Sequence, residues 1–292
     1  MRYRVSHNTL YGYAEPVSLA HNETHLRPRD VGRQRVLAHR LEIDPTPAMV
    51  AERKDFFGNA VSYFSLERAH SHLRVTAISD LELAPAAEAP HALSRIPWHK
   101  VAGRVRAELS GATLEAVQFL LESPMVGTLP DLQRYAEKSF RQRWTLVEVV
   151  QDLMQRIHND FRYDPGATTV ATPLSQVFLD RRGVCQDFAH LAIACLRIQG
   201  LPARYVSGYI ETLPPPGQQK LLGSDASHAW FSVYDPDAGW LDFDPTNNQI
   251  PMNQHITTAW GRDYSDVTPL RGVIFGGGAH RAEVAVDVEP RP

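Results

Sequence analysis

The sequence predicts an α+β protein in which a β-rich N-terminal domain, an antiparallel β-sandwich, precedes a domain of helices and strands. Two patterns support this prediction. Residues 1–84 contain short segments of alternating or β-branched residues, whereas residues 114–157 repeat apolar residues at three- and four-residue spacing. A further apolar-faced helix at 185–198 is followed by strand-like segments. With 292 residues, the chain has room for two domains.

Composition narrows the class of protein. The hydrophobic content of 43% is typical of a packed chain rather than a disordered one. A net charge of −3 gives no general attraction to nucleic acid or to an anionic membrane, and no segment is apolar enough to span a bilayer. The polar first residues lack the apolar core of a signal peptide, and two cysteines suit a reducing compartment. We therefore expect a cytoplasmic protein that binds neither nucleic acid nor membrane, while its oligomeric state stays open.

Four strands are predicted in the N-terminal domain, separated by turn residues at Asp44-Pro45 and 57–59. They cover residues 2–6, 36–43, 61–64 and 73–78. The next segment is rich in alanine and proline, which is typical of a semi-rigid connection between domains. We accordingly divide the chain into a β-rich domain at 1–84, a linker at 85–97 and a second domain at 98–292.

Helices are predicted at the start of the second domain. Helical apolar spacing covers residues 114–121, 132–140 and 146–157. A loop then runs from 161 to 172, and a short helix at 173–179 leads into the turn before Cys185. Because the loop directly precedes that turn, it either lines a cleft beside Cys185 or serves as a plain connector.

Cys185 begins the helix around which the second domain is organised. Gly183 lies just before it, where the chain must turn sharply, so the thiol falls within the first helical turn. The unsatisfied N–H groups and the dipole at that end of a helix favour the thiolate, which is the nucleophilic form. Cys195 lies roughly 15 Å further along the helix, beyond the reach of a disulfide. It belongs to the apolar face and is predicted to be an ordinary core residue, as most free cysteines are.

Residues 227–246 predict a β-hairpin, because aromatic and β-branched residues flank a turn at 235–239 that is rich in aspartate, proline and glycine. The aspartates superficially resemble a calcium loop. The glycine, however, stands one place early for an EF-hand, and no bidentate glutamate follows at the required position. We therefore interpret the segment as a structural turn and expect neither a metal site nor a cofactor.

The register of this hairpin decides which aspartate can orient His228. If Tyr234 and Trp240 lie opposite each other across the turn, Asp244 is a diagonal neighbour of His228 on the same face. Asp242 would lie one pair nearer the turn, beyond easy reach of His228. A bulge in the turn would shift the register by one residue and invert the faces. On the unshifted register, Asp244 is the orienting carboxylate.

A helix-borne thiol, a strand-borne imidazole and a carboxylate are the groups that a thiol nucleophile needs. The segments that carry them resemble the core motifs of the bacterial transglutaminase-like superfamily, a relative of the papain-like thiol hydrolases. These motifs are GVCQDFA at 183–189, GLPARYVSGY at 200–209, HAW at 228–230 and WLDFDPT at 240–246. The resemblance implies that Cys185, His228 and Asp244 occupy the catalytic positions. It also implies a papain-like or transglutaminase core in which the nucleophile helix packs on an antiparallel sheet.

The N-terminal part of the chain carries a second resemblance. Tyr3, His7 and Thr9, followed by LRPR at 26–29, resemble the β-rich domain that precedes this core in one bacterial branch of the superfamily. Together the two resemblances cover most of the chain.

The expected chemistry starts from a Cys185 and His228 ion pair whose thiolate attacks an amide or thioester carbonyl. The backbone N–H of Cys185 supplies one oxyanion donor. The sequence does not identify the second donor; the candidates for that role or for lining the cleft are Gln186, Trp230 and Tyr163.

The group that accepts the acyl chain decides the class of enzyme. Water gives a peptidase or amidase, and an amine gives a transglutaminase or peptide ligase. Because the bacterial members of the superfamily are largely regarded as thiol peptidases, the resemblance favours hydrolysis of a peptide or isopeptide bond, with a peptide or protein as substrate. Amine transfer and a non-catalytic binding module on the same fold are the alternatives.

Three late segments are assigned from their position and composition. Residues 214–224, rich in proline at their start, are a candidate lid because loops that interrupt a sheet near catalytic residues often control access. Residues 260–264 combine aromatic and charged groups and are expected to approach the cleft. The alternating valines at 284, 286 and 288 predict a last strand that packs back on the core.

Overall fold

A computed structural model describes residues 1–85, 92, 94–108, 111–211 and 226–291. The described chain contains a seven-stranded antiparallel sheet, a four-stranded antiparallel sheet and a two-stranded parallel ladder, together with a group of helices. The strands are β1 (Arg2–Thr24), β2 (Gln34–Asp44), β3 (Met49–Lys54), β4 (Ala60–Leu66), β5 (His70–Leu83), β6 (Arg162–Tyr163), β7 (Arg182–Gly183), β8 (Ala203–Ile210), β9 (Ala226–Asp235), β10 (Gly239–Phe243), β11 (His255–Gly261), β12 (Leu270–Gly276) and β13 (His280–Arg291).

The helices precede and flank the smaller sheet. They are α1 (Trp98–Ala107), α2 (Gly111–Val117), α3 (Pro130–Glu137), α4 (Leu146–Asp160), α5 (Leu174–Asp180) and α6 (Cys185–Ile198), with short 3-10 turns at Gln118–Leu120 and Tyr264–Asp266. Among the residues described, no helix combines the length and the apolar character that crossing a membrane requires.

β1 is the central strand of the larger sheet. The first half of its 23 residues pairs with β5 on one side and β13 on the other, and the second half pairs with β4 and β12. β2 then extends the sheet beyond β5, and β3 extends it beyond β4. Apolar side chains of β1, β4 and β5 pack into one cluster, so the sheet folds over a shared core; they include Val17, Ala20, Phe64, Leu66, Leu73 and Val75. The antiparallel β-rich N-terminal fold is thereby confirmed.

The last strand joins the larger sheet, where it pairs with β1 along residues 2–13. From that position Val286 and Val288 pack against Tyr209 and Ile256 of the smaller sheet. β12 also pairs with β1. Residues that the sequence analysis placed in the second domain therefore complete the N-terminal sheet, because hydrophobic alternation predicts a strand without selecting its partner.

The smaller sheet has the strand order β10-β9-β8-β11 and carries the helices on one face. Ala203 and Tyr205 of β8 pack with Ala229 and Phe231 of β9 in the same core as the apolar residues of α6. The predicted helices are present within a few residues of the expected bounds, and Thr145 caps α4 by a reciprocal hydrogen bond with Glu148. α1, which the sequence analysis did not predict, starts at the end of the proline-rich segment.

The second face of the smaller sheet lies against the N-terminal sheet. His7 Nδ1 is 3.1 Å from the hydroxyl of Tyr209. Gln34 forms two hydrogen bonds with the backbone of Thr257: its Nε2 donates to the carbonyl at 2.8 Å, and its Oε1 accepts from the N–H at 2.9 Å. Burial lowers the pKa of His7 to about 4, so this histidine is neutral at physiological pH. Polar side chains of the N-terminal domain therefore form hydrogen bonds with β8 and β11 on the face of the smaller sheet that is turned away from α6.

Asn59 is a further polar residue that joins the two sheets, and we expect the stability of the protein to be sensitive to its truncation. Its side chain is fully buried, donates to the Trp260 carbonyl at 2.8 Å and accepts from the Trp260 N–H at 3.0 Å. We expect Asn59→Ala to lower the free energy of unfolding by about 2–4 kcal/mol, because buried backbone groups lose their partners. Urea denaturation would measure the change. Asn159→Ala, at an exposed position of α4, is the matched control and should change stability by less than about 0.5 kcal/mol; equal effects would contradict this role of Asn59.

Candidate active site

The turn before α6 places Cys185 at the first helical position. The carboxylate of Asp187 accepts hydrogen bonds from the Val184 N–H at 2.8 Å and from the Thr168 hydroxyl at 2.7 Å. A Cβ at Gly183 would lie 2.6 Å from the same carboxylate oxygen, so the turn requires glycine there. The loop before α6 is thus fastened to the first turn of the helix that carries the thiol.

His228 lies between the thiol and a carboxylate. It lies on β9, and its Nε2 is 2.8 Å from Oδ2 of Asp244, so Nδ1 is the ring nitrogen that is not bonded to this carboxylate. Burial lowers the pKa of His228, but the hydrogen bonds and negative charges of Asp244 and Cys185 outweigh burial and raise it to about 10. The imidazole is therefore protonated at neutral pH.

The hairpin has the predicted register. Tyr234 pairs with Trp240, with no bulge before the end of β10. Asp242 pairs with Ser232 and accepts a hydrogen bond from its hydroxyl, whereas Asp244 is the aspartate that bonds to His228. The turn itself is stabilised by the Asp235 carboxylate, which accepts hydrogen bonds from the backbone N–H groups of residues 237 and 238.

Asp244 collects five hydrogen bonds although its side chain is completely buried. Its Oδ2 accepts from Nε2 of His228, from Nε2 of His255 at 2.9 Å and from Nδ2 of Asn247 at 2.8 Å. Its Oδ1 accepts the backbone N–H groups of Thr246 and Asn247 at 3.0 and 3.2 Å. Burial raises the pKa of this carboxyl, but the two histidines hold it well below its usual range. Asp244 is therefore ionised at any physiological pH.

His255 and Asn247 are members of the site that the sequence analysis missed. His255 is brought to Asp244 by the pairing of β11 with β8, which no local motif encodes. Asn247 follows the Asp-Pro-Thr motif in a short loop closed by backbone bonds between Asp244 and Gln249. The signal for Asn247 was available, since an aspartate followed by small polar residues is typical of an Asx turn.

Two histidines and an aspartate at the centre of this site also have the composition of a metal site. Ligand atoms of His228, Asp244 and His255 lie within 4.8 Å of one another. Both imidazole nitrogens are at hydrogen-bond distance from one carboxylate oxygen, so one N–H from each ring accounts for their convergence without an ion.

The indole ring of Trp230 packs against the two histidines of the site. Its ring stacks at 6.1 Å from that of His228 and meets that of His255 edge-on at 5.1 Å. A Cβ at Gly208 would collide with the Trp230 ring and with the Ile256 carbonyl oxygen, so a glycine in the interior of β8 makes room for the indole. The indole Nε1 of Trp230 is buried and has no hydrogen-bond partner among the residues described.

The other predicted site residues lie around the thiol. Tyr163, with 52% of its surface exposed, pairs with Gly183 in the β6–β7 ladder. Burial and then the charge of Cys185 raise the pKa of Tyr163. Gln186 is buried at the second position of α6. Whether Gln186, Trp230 or Tyr163 donates to an oxyanion stays a prediction.

Cys195 is a core residue, as predicted. It is completely buried, and its Sγ lies 3.9 Å from the Leu132 carbonyl oxygen. Burial raises the pKa of its thiol to about 12. Cys195 therefore stays a protonated thiol, and both cysteines are free.

Residues 260–264 divide between the two sides of the smaller sheet. The ring of Tyr264 lies 6.2 Å from that of Tyr205, whose pKa is raised by burial and then by the charge of Cys185. Trp260 instead stacks with Arg204 on the face turned toward the N-terminal sheet. The candidate lid at 214–224 lies outside the described residues.

Comparisons with known proteins agree with this architecture. Residues 3–82 match the family model described as the bacterial transglutaminase-like N-terminal region, and residues 133–245 match the model of the transglutaminase-like superfamily. A crystal structure from Cytophaga hutchinsonii, described as a "putative cysteine protease", covers 99% of this chain and 90% of its own, with a TM-score of 0.76 and 22% identity. This likeness shows the fold.

Relatives match the chain over nearly its whole length. An uncharacterized protein of Mycobacterium tuberculosis is 43% identical over 99% of this chain and 93% of its own length. One from Mycobacterium leprae is 33% identical over 98% of both. A Pseudomonas aeruginosa protein named protein-glutamine gamma-glutamyltransferase is 32% identical over 45% of this chain and 20% of its own. The chain belongs to the transglutaminase-like superfamily and carries the N-terminal region of its bacterial branch.

Proposed function

We propose that the protein is a cysteine-dependent hydrolase of peptide or isopeptide amide bonds that works through an acyl-enzyme on Cys185. The observation that carries this proposal is the placement of Cys185 at the first position of α6 together with the hydrogen bond between His228 and the buried Asp244, with the charge of Cys185 acting on the imidazole. A thiol at a helix start, a protonated imidazole and an ionised carboxylate supply a nucleophile, a general acid and an orienting group.

In the acylation step, the Cys185 sulfur attacks the carbonyl carbon and the carbonyl electron pair moves to oxygen. The N–H of Cys185 has no acceptor within its own helix, because it precedes the first i→i−4 bond, and it supplies one donor to this oxyanion. As the tetrahedral intermediate collapses, the C–N bond breaks and His228 gives its proton to the leaving amine. A thioester on Cys185 and a neutral His228 remain.

In the deacylation step, neutral His228 accepts a proton from water as the water oxygen attacks the thioester. The C–S bond then breaks, the carboxylic acid leaves, and the thiolate and imidazolium are restored. Asp244 keeps the proton-bearing Nε2 of His228 directed toward itself throughout, so Nδ1 stays free to exchange protons on the substrate side.

Space for a substrate is present beside the nucleophile helix. A cavity of about 370 Å³ lies two or more residues along α6 from Cys185, bordered by Asp187 and His190 of that helix and by residues of the 124–129 and 171–175 segments, which include Thr172 and Ser175. Burial lowers the pKa of His190 to about 4, so this wall carries no positive charge from it at neutral pH. The cavity presents both polar and apolar groups to a peptide segment bound beside α6.

Amine transfer is the second candidate function. It is favoured by the relative from Pseudomonas aeruginosa, whose name is that of a transglutaminase and whose likeness covers 45% of this chain. The triad serves both reactions, since an amine and water attack the same thioester.

Removal of triad groups should separate an enzyme from a binding module. We expect Cys185→Ala to abolish hydrolysis of fluorogenic peptide amides, and Asp244→Asn to lower kcat about 10²–10⁴-fold because the tautomer of His228 is no longer enforced. Cys195→Ala and Asp237→Asn, in the core and in the hairpin turn, are the matched controls and should retain turnover. Unchanged turnover in Cys185→Ala would contradict the proposal that Cys185 is the nucleophile.

The raised pKa of His228 predicts an unusual pH dependence of thiol alkylation. Because His228 keeps its proton up to about pH 10, we expect iodoacetamide to label Cys185 rapidly and at a nearly constant rate between about pH 6 and 8. His228→Ala should label more slowly and with a rate that climbs over this range. Peptide mapping would measure the labelling of Cys185 and of the buried Cys195 separately, with Cys195 as the internal control. A wild-type pH profile equal to that of His228→Ala would contradict the ion pair.

Competition between water and an amine distinguishes the two reactions. We expect a glutamine-containing peptide, incubated with a fluorescent primary amine, to give mainly the hydrolysed product, with both products lost in Cys185→Ala. Mass spectrometry would quantify the two. Amine incorporated in preference to hydrolysis would replace the hydrolase with a transglutaminase.

A further inference from the structure

A second cavity, of about 670 Å³, lies between the smaller sheet and the N-terminal sheet. Its β8 and β9 walls are Arg204, Val206 and Trp230, which alternate along the strands with the residues that pack toward α6. Arg33 and Leu83 contribute from the N-terminal domain. The volume falls within the range of small-molecule sites, and the cavity is on the opposite face of the sheet from the core around α6.

The cavity contains a guanidinium held between two indole rings. Cζ of Arg204 lies 4.2 Å from the ring centroid of Trp240 and 3.8 Å from that of Trp260. Only 8% of Arg204 is exposed, and its Nε makes a long hydrogen bond of 3.4 Å to the Ser232 hydroxyl. Burial lowers the pKa of Arg204 to about 9, although the nearby charge of Asp242 acts to raise it, and the group remains a cation at neutral pH. A guanidinium fixed by stacking is preorganised to bind a carboxylate through its N–H edge.

Positive charge exceeds negative charge around this cavity. Its described lining residues include two arginines, Arg33 and Arg204, and one acidic residue, Asp242. Arg33 donates to neutral oxygens, the carbonyls of residues 84 and 252 and the amide of Asn253. An anion is therefore the ligand charge that fits.

Two buried ring nitrogens in the cavity wall lack partners among the residues described. They are Nε1 of Trp230, which is a hydrogen-bond donor, and Nδ1 of His255. Both residues also contact the triad, because Trp230 stacks on His228 and His255 bonds to Asp244. A ligand in this cavity would touch the same side chains that position the catalytic imidazole.

We propose that this cavity is a second binding site, for a small carboxylate with a planar apolar body. Arg204 and Arg33 bind the carboxylate, and the apolar lining residues Leu83, Pro251 and Met252 hold the apolar part. The proposal is independent of whether the triad is catalytic, since the site lies behind it.

The test uses benzoate as the probe and the full-length Cys185→Ala protein, so that binding is measured without turnover. Titration calorimetry should show binding of one benzoate, with neutral benzamide at least about tenfold weaker, equivalent to about 1.4 kcal/mol. Indole N–H signals of Trp240 and Trp260 should shift in ¹H–¹⁵N spectra on addition of benzoate.

Two charge variants locate the site. Arg33→Gln, which removes a half-buried guanidinium of the cavity, should weaken benzoate binding about tenfold or more. Arg35→Gln, at an exposed position on β2 two residues further along the chain and outside the cavity, is the matched control and should bind as the parent protein does. Equal binding of benzoate and benzamide, unchanged binding to Arg33→Gln, shifts confined to residues near position 185, or no detectable binding would each overturn the proposal.

Discussion

The buried carboxylate of Asp244 is the constraint that organises the candidate active site. An ionised group without solvent contact is costly unless it is fully hydrogen-bonded. Asp244 meets this condition through His228, His255 and Asn247 together with two backbone N–H groups. These partners come from β9, β11 and the loop after β10, so the carboxylate is satisfied only when the smaller sheet is assembled in its observed order. The hydrogen bond between Asp244 and His228 also raises the pKa of His228, so the imidazole keeps its proton at neutral pH.

The N-terminal sheet supports this arrangement from the other face. Its residues bond to β8 and β11 through His7, Gln34 and Asn59. Those two strands carry Gly208, over which the Trp230 ring lies, and His255. The family motif residues at the start of the chain are therefore structural contacts to the smaller sheet: His7 bonds to Tyr209, and Arg29 stacks on Trp260. The N-terminal region contributes the far wall of the second cavity as well.

Local chemistry explains which features could be predicted from the sequence. The start and end of α6 follow from Gly183, the apolar period and Gly200, and the hairpin register follows from the turn residues and the aromatic pair at 234 and 240. The choice of Asp244 over Asp242 as the partner of His228 required only that register.

Long-range pairing explains what was missed. His255 reaches Asp244 because β11 pairs with β8 across more than forty residues of sequence, and β12 and β13 return to β1 from the opposite end of the chain. Alternation along a strand specifies its faces and leaves its neighbours undetermined. The stacking of Arg204 between two tryptophans from β10 and β11 depends on the same pairings.

The protonation state of His228 in the resting protein tests the central claim most directly. In ¹⁵N-histidine spectra at pH 8, the hydrogen-bonded chain predicts that both ring nitrogens of His228 carry protons, because its pKa is raised to about 10. His228 signals would be assigned by comparison with His228→Gln, and Cys185→Ala should shift the titration of the ring to lower pH. A neutral ring at pH 8 with a single protonated nitrogen would contradict the thiolate–imidazolium pair on which the proposed chemistry rests.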